Sequence, residues 1–250
     1  MNILVTNDDG INAGGIFALA ECLSDLGNVT VVAPTHEQSA VSSKITVHQP
    51  LRVHKIHLSD KFKSYSVTGT PADCIKIGLA ELCTEKPDLV VSGINHGSNT
   101  GLNLIYSGTV AGAIEGMLNN IPSVAVSITS FDISDFDLAK DTIKKLIPEV
   151  IKNGLPHHTL LNVNIPAVKL GAQAGIKWCK LSQNRYVEDF EKRLDPLGNP
   201  YYWLGGKKIE IDTTGNFDDV LIKENYVTIV PVKFEFNTDD EFKEFQHWNI

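Results

Sequence analysis

The chain opens on an apolar run, Ile3-Leu4-Val5, that stops at Asn7-Asp8-Asp9-Gly10. A short apolar run with no polar alternation predicts a strand buried on both faces, as in the middle of a parallel sheet. In an open α/β sheet, ligands bind in the crevice at the carboxyl ends of the strands. Two adjacent carboxylates placed there are costly unless something positive joins them. The fold that follows must therefore either leave Asp8 and Asp9 in water or bring them a cation.

The rest of the pattern agrees with an α/β chain. Gly14 and Gly15 lead into a helical pattern up to Gly27, with Phe17, Leu19, Ala20 and Leu23 as apolar positions. Val29 to Ala33 is a second strand, ended by Pro34. Strand, helix and strand in that order predict a parallel pair with a right-handed crossover. A polar loop, Thr35 to Ser43, carries Ser39, Ser42 and Ser43. Residues 45–57 read as a β excursion, and Tyr65 to Thr68 as a short strand. Thr70-Pro71 starts a helix, with Thr as N-cap and Pro at the first helical position. Its apolar face is Ala72, Ile75, Leu79 and Leu82, ending at Cys83.

Leu89 to Val91 is a strand that ends at Ser92-Gly93, followed by a long loop to about Tyr106 and a helix from about Ser107. Val124 to Ile128 is a further strand. Phe136, Ala139, Ile143, Leu146 and Val150 mark a helix, which Pro148 is expected to bend. Leu160 to Val163 closes the clear core pattern. After Pro166 the character changes. Residues 176–235 show loose β patterning and the aromatic cluster Tyr201-Tyr202-Trp203, and the end, from Asp239, suits a short helix. The expected organisation is one domain over residues 1–250. Its core spans about 1–166, and a β-rich excursion over about 176–250 serves subunit contacts.

A formal net charge of -8 argues against a surface that coats nucleic acid, which needs a basic face. It leaves room for a small anionic substrate, because a site can be locally positive on an acidic protein. The four cysteines form no C-x-x-C pair and read as buried thiols of a cytoplasmic protein. The N-terminus lacks the features of a signal peptide, and the long uncharged stretches are too rich in Gly, Ser, Asn and Thr to read as membrane spans. There is no G-x-G-x-x-G after the first strand and no G-x-x-x-x-G-K-[ST], which weakens dinucleotide and NTPase readings.

Three strands end in polar motifs: the first at Asp8 and Asp9, the second shortly before Ser39, the one at Leu89 shortly before Asn95. If these strands are parallel, the motifs share one edge of the sheet. Carboxylate, hydroxyl and amide oxygens are hard donors that suit Mg²⁺, Mn²⁺ or Ca²⁺ better than zinc. Taken singly, each is ordinary: Asp-Asp-Gly reads as a solvated turn, Ser39 as a loop hydroxyl, Asn95 as a loop cap. The case rests on convergence. The stretch from Gly93 to Gly116 adds six glycines and no Lys or Arg. Ser107-Gly108-Thr109 stands where a helix begins, so its free amides and the helix dipole make an anion site, unless the stretch is a flexible loop and Ser107 an ordinary cap. Gly97 and Gly108 would let the backbone approach a phosphate closely. His96 and the pair His157-His158 read as surface or loop residues.

These motifs resemble the SurE family, the survival-protein-E nucleotidases. The resemblance is carried by ILVTNDDG at the start, the loop from Pro34 through Ser39, TGTPADC (Thr68 to Cys74), SGIN-x-G-x-N (Ser92 to Asn99) and YSGTV-x-x-A-x-EG (Tyr106 to Gly116). LNVNIP (Leu161 to Pro166), Arg185-Tyr186 and DP-x-G-x-PYYWLGG (Asp195 to Gly206) extend it over nearly the whole chain. It implies a Rossmann-like, mostly parallel sheet with helices on both faces, and a swapped C-terminal arm in a homodimer or homotetramer. It implies a metal-dependent phosphomonoesterase of the 5′-nucleotidase or acid phosphatase type, acting on nucleoside 5′- and 3′-monophosphates. One divalent ion per subunit, Mg²⁺ or Mn²⁺, would be held by Asp8, Asp9, Ser39 and Asn95. Asn95, Gly97, Ser107, Gly108 and Thr109 would take the phosphate. Asp8 and Asp9 would be the catalytic pair, with Asp9 as general base or proton carrier; an aspartyl-phosphate is the other route open to a carboxylate. Ala40 departs from the family, where a glycine commonly follows the serine, and Ala111-Gly112-Ala113 departs in the order of its small residues. The rival reading is a non-catalytic nucleotide-binding module that uses the same crevice.

Overall fold

A computed structural model describes residues 1–133, 135–235, 243 and 245–248. The apolar opening run is β1 (Asn2–Thr6), and it is central. β2 (Asn28–Pro34) lies on one side and β5 (Leu89–His96) on the other, both parallel to it. Val5 pairs with Val31 and with Val91, so the three strands run in register and their carboxyl ends share one edge of the sheet. β6 (Ser123–Ile128) and β7 (Thr159–Ile165) continue in parallel beyond β5. Beyond β2, β4 (Lys63–Val67) is parallel and β3 (Val53–Ile56) closes that edge antiparallel.

The sheet does not stop at residue 166. β11 (Tyr226–Lys233) pairs antiparallel with β7, and β8 (Gly175–Trp178) pairs parallel with β11 at the outer edge. The result is a nine-stranded, mostly parallel sheet in the order β3-β4-β2-β1-β5-β6-β7-β11-β8. β9 (Arg185–Leu194) and β10 (Pro200–Ile209) stand apart from it as an antiparallel hairpin. The hairpin is exposed nearly throughout, including Tyr201, Tyr202 and Trp203. The short helix expected from Asp239 begins on residues outside the described set.

Alternation along β1 assigns a helical layer to each face. Ile3 and Val5 point to α1 (Gly14–Ser24) and α4 (Asp137–Asn153), joining Ile16, Leu19, Leu23, Ile143 and Ile147 in one core. Leu4 points the other way, to Ile75 of α2 (Pro71–Ile77). On that same face α3 (Gly108–Leu118) packs Val110 and Ala113 against Ala125 and Leu160. Each fully buried Val, Leu or Ile among these contributes about 1.5–3 kcal/mol.

Thr70 begins α2 as expected. Its hydroxyl accepts from Asp73 N at 3.2 Å, and the Asp73 carboxylate accepts from Thr70 N at 2.9 Å, a reciprocal capping box. The expected helix to Cys83 ends earlier as an α-helix, at Ile77, and continues as a π turn over Gly78–Leu82. α4 runs unbroken through Pro148, which faces solvent.

The stretch from Gly93 to Tyr106, expected as loop, is more ordered. β5 continues to His96 past a register shift between Ser92 and Asn95, and a 3₁₀ turn fills Gly101–Tyr106. Buried asparagines on β7 explain part of this order. Asn162 Nδ2 donates to Asn99 O at 2.7 Å, and Asn164 Oδ1 accepts from Asn99 N at 2.8 Å. Two asparagines two residues apart on a strand face the same way, so both reach the same loop.

Candidate active site

β1 lies where the strand order reverses: the chain adds β2 and β4 on one side, then returns to place β5 on the other. At such a switch point the loops leaving adjacent strands diverge and open a crevice. A cleft of about 460 Å³ lies there, lined by Asp8, Asp9, Glu37, Ser39, Asn95, His96, Gly97 and Ser107, with Tyr106 and Phe131 among its other walls. Among the described residues that line it, none is Lys or Arg. A second cavity, about 430 Å³, sits at the amino ends of β1 and β2, the end of an α/β sheet that does not carry its ligand crevice.

The loop after β2 is tied to the end of β1. Gln38 N donates to Asp8 O at 2.7 Å, and Ile11 N donates to Pro34 O at 2.8 Å. Its other end is tied to the turn before α3, where Ser42 N donates to Tyr106 O at 3.0 Å. These bonds bring Ser39 to the cleft, where its hydroxyl donates to Glu37 Oε1. Ala40 takes a left-handed φ of +55°, the region glycine enters at least cost. That conformation would suit the glycine that the resemblance leads one to expect here.

Asp8 is held from behind by the start of α3. Thr109 Oγ1 donates to Asp8 Oδ1 at 2.6 Å. Gly108 permits that approach, since a Cβ there would lie 2.8 Å from Asp8 Cβ. Ser107 caps the helix, its hydroxyl accepting from Val110 N at 3.1 Å. Ser107 lines the cleft, whereas Gly108 and Thr109 stand one layer behind, against Asp8. Burial pushes the Asp8 carboxyl up to about 6, the Thr109 hydroxyl opposes this, and the Asp9 charge adds to it. Asp9 is also raised, first by burial and further by Glu37, against an opposing pull from His96.

His96 corrects the expectation of an ordinary surface or loop residue. Its backbone N–H donates to Asp9 Oδ2 at 3.2 Å, its Nδ1 lies 4.0 Å from that oxygen, and its ring stacks on Phe136. His157 and His158 are exposed, as expected. Glu37, His96 and Phe131 are site residues that the sequence reading missed. Adjacency to Ser39 and to Asn95 was the available signal for the first two; for Phe131 there was none.

The residues present fit a divalent ion. Two carboxylates with raised affinity for protons, Asp8 buried and Asp9 half-buried, with no ammonium or guanidinium lining the same cleft, make a negative site. Asn95 Nδ2 is engaged with Gly97 O at 2.8 Å, so the donor its side chain can offer is the carbonyl oxygen. Two carboxylates, an amide oxygen and a hydroxyl form an all-oxygen set suited to a hard cation. Among the described residues no group of three or more His, Cys, Asp or Glu side chains gathers as a metal cluster.

The model of the family described as survival protein SurE matches residues 3–188. The chain belongs to the SurE family. It is 45% identical over 251 residues to the 5′-nucleotidase SurE of Thermoanaerobacter sp. (strain X514), covering 100% of this chain and 99% of that one. It is 47% identical over 237 residues to the 5′-nucleotidase SurE of Pelotomaculum thermopropionicum, covering 94% of this chain and 90% of that one. The crystal structure of the SurE protein from Aquifex aeolicus superposes with a TM-score of 0.85 at 35% identity, covering 99% of both chains. The SurE fold, a mostly parallel sheet between helices with a separate hairpin, is therefore the fold the motifs implied. Among the described residues no helix is long and apolar enough to cross a membrane.

Proposed function

We propose that this SurE protein is a metal-dependent phosphomonoesterase that hydrolyses nucleoside 5′- and 3′-monophosphates to nucleoside and phosphate. The observation that carries the reading is the meeting of Asp8, Asp9, Ser39 and Asn95 on one cleft that has no Lys or Arg in its lining. The names of the relatives, all 5′-nucleotidase SurE, support the same reaction class.

In this reading Asp8, Asp9, Ser39 and Asn95 would hold one divalent ion per subunit, Mg²⁺ or Mn²⁺. Such an ion supplies Lewis-acid charge at the phosphoryl group and lowers the pKa of a bound water. The rest is done by the chain. The Thr109 hydroxyl orients Asp8. Ser107, at the positive end of the α3 dipole, binds the phosphate together with Asn95 and Gly97, while Gly108 and Thr109, named with them from the sequence, back Asp8 from one layer behind. Asp9, with His96 beside it, takes up or passes on a proton at Oδ2. Such preorganised donors stabilise charge as it develops on a transferring phosphoryl group.

The chain acts as one domain over 1–250, in the cytoplasm, as a homodimer or homotetramer. Its exposed hairpin supports the oligomer, because Phe190, Leu194, Tyr202, Trp203 and Leu204 would be covered by another copy. The four free cysteines suit a reducing compartment. The test is phosphate release from AMP and from an aryl phosphate, after chelation and again with Mg²⁺ or Mn²⁺ restored. Release that stops on chelation and returns with metal is the expected result. Folded protein that binds AMP and releases no phosphate with any metal would replace hydrolysis by nucleotide binding.

A further inference from the structure

A second pair of buried carboxylates, Asp218 and Asp219, lies in the first turn of α5 (Asp218–Lys223), outside the cleft. Their bonds run to one place. Asp218 Oδ2 accepts from Gly101 N at 2.9 Å, and Asp218 Oδ1 accepts from Ser182 N at 2.9 Å. Asp219 Oδ1 accepts from the Thr100 hydroxyl at 2.7 Å, and Asp219 Oδ2 from the Ser182 hydroxyl at 2.6 Å. Thr100 and Gly101 begin the 3₁₀ turn whose other end is Tyr106, followed by the α3 cap Ser107. That turn contributes Asn103 and Tyr106 to the cleft wall.

The exposed hairpin reaches the same turn. Lys208 of β10 is ion-paired with Asp219. Asn184, just before β9, accepts from Leu102 N at 3.0 Å through its backbone oxygen, and Tyr186 N of β9 donates to Asn103 Oδ1 at 3.4 Å. Gly101 sits in this junction at φ +61°, where a Cβ would lie 2.5 Å from Asn184 O. The turn is thus gripped by α5 on one side and by the hairpin on the other.

We infer that Asp218, Asp219 and Lys208 are positioning residues for the nucleoside side of the cleft: they fix Asn103 and Tyr106 where the ribose and base of the substrate lie, and so make the hairpin part of the binding wall. The inference rests on the nucleotidase reading above. An amide and a phenol on a braced turn are groups that hydrogen-bond a sugar or base and stack on a base face. Asp8, Asp9 and Asn95 hang from β1 and β5 and take no bond from this junction; the Ser39 loop meets the turn only at its far end, where Ser42 bonds to Tyr106 O and Ile105 O. Loosening the turn at its near end, Thr100 and Gly101, therefore falls on nucleotide binding before it reaches the phosphate end.

The test is steady-state kinetics of Asp219→Asn and Lys208→Met with AMP as substrate and inorganic phosphate as inhibitor. The account expects KM for AMP to rise about tenfold, the scale of losing a charge-assisted bond that holds a contact surface in place. It expects kcat within about twofold of the parent, an unchanged inhibition constant for phosphate, and restoration of KM in Lys208→Arg. An unchanged KM in both variants overturns it. So does a joint loss of kcat, AMP affinity and phosphate affinity, which marks a merely structural role. If Asp219→Asn does not fold by circular dichroism, Lys208→Met, on the hairpin, decides alone. Failure of the nucleotidase reading is separate and visible, since the unsubstituted protein would then release no phosphate from AMP.

Discussion

Among the described residues the dipeptide Asp-Asp occurs twice, in opposed surroundings. Asp8-Asp9 follows a central strand and faces a cleft without a cation; burial and like charge raise both carboxyls. Asp218-Asp219 is more deeply buried, and burial together with the Asp219 charge raises Asp218 too, but the pair is met by two hydroxyls, backbone amides and, at Asp219, the Lys208 ammonium. For Asp219, burial pushes the carboxyl up, but Lys208 and the Ser182 and Thr100 hydroxyls outweigh it and hold the group below the usual carboxylate range. The same two residues thus face a cleft with no Lys or Arg in its lining in one place and a set of donors within the fold in the other. The difference lies in whether the fold supplies donors, and an uncompensated buried charge marks function.

The sharpest way to break the comparison is Asp8→Asn. Activity should fall by at least about 10³-fold, since a charge that acts on the transition state is lost. Thermal melting of the chelated variant should show no loss of stability, because an uncompensated buried charge has gone. A strongly destabilised Asp8→Asn would mean that Asp8 is a structural joint after all. Asp218→Ala should behave the other way. It leaves buried amides without an acceptor and should cost about 3 kcal/mol in urea unfolding, with Mn²⁺ affinity intact.

Metal should stabilise one pair and ignore the other. At a hundredfold excess over its dissociation constant, Mn²⁺ should add about 2.7 kcal/mol to the unsubstituted protein and to Lys208→Met, and nothing to Asp8→Asn. The pH dependence sharpens the contrast further. Because the folded Asp219 carboxyl is depressed, its stabilisation is present above the unfolded carboxylate pKa and lost as pH falls through the folded value. The stability gap between the protein and Asp219→Asn, measured by urea unfolding from neutral pH towards about pH 3, should therefore narrow on acidification. A gap that widens would contradict the ion pair. The smallest effect is expected at Ala40→Gly. Relief of the left-handed alanine and the added freedom of the unfolded chain nearly cancel, so the melt should shift by less than about 0.5 kcal/mol.

Much of the first pair's setting was legible because it follows from local pattern. An uninterrupted apolar run makes β1 central, parallel strands follow from the β–α–β order, and parallel strands put Asp8, Ser39 and Asn95 on one edge. Thr70-Pro71 announces a helix start and Thr70 caps it as expected; a helix also starts where Ser107 stands, and Ser107 caps it, which the sequence reading named as the alternative to an anion site. What stayed hidden depends on contacts far apart in sequence. β11 pairs with β7, and that register cannot be read from either strand alone. His96 reaches Asp9 through a register shift in β5 that has no residue signature. The Asp218-Asp219 joint is invisible in sequence, since its partners Thr100-Gly101, Ser182 and Lys208 come from three separate segments.

The central claim is the proposal that Asp8 and Asp9, with Ser39 and Asn95, hold a divalent ion. Calorimetric titration of Mn²⁺ into the chelated protein, run beside Asp8→Asn and Asp219→Asn, tests it most directly. The account predicts one site per chain in the protein and in Asp219→Asn, and no binding in Asp8→Asn. Equal binding in all three, or none in the unsubstituted protein, would contradict it.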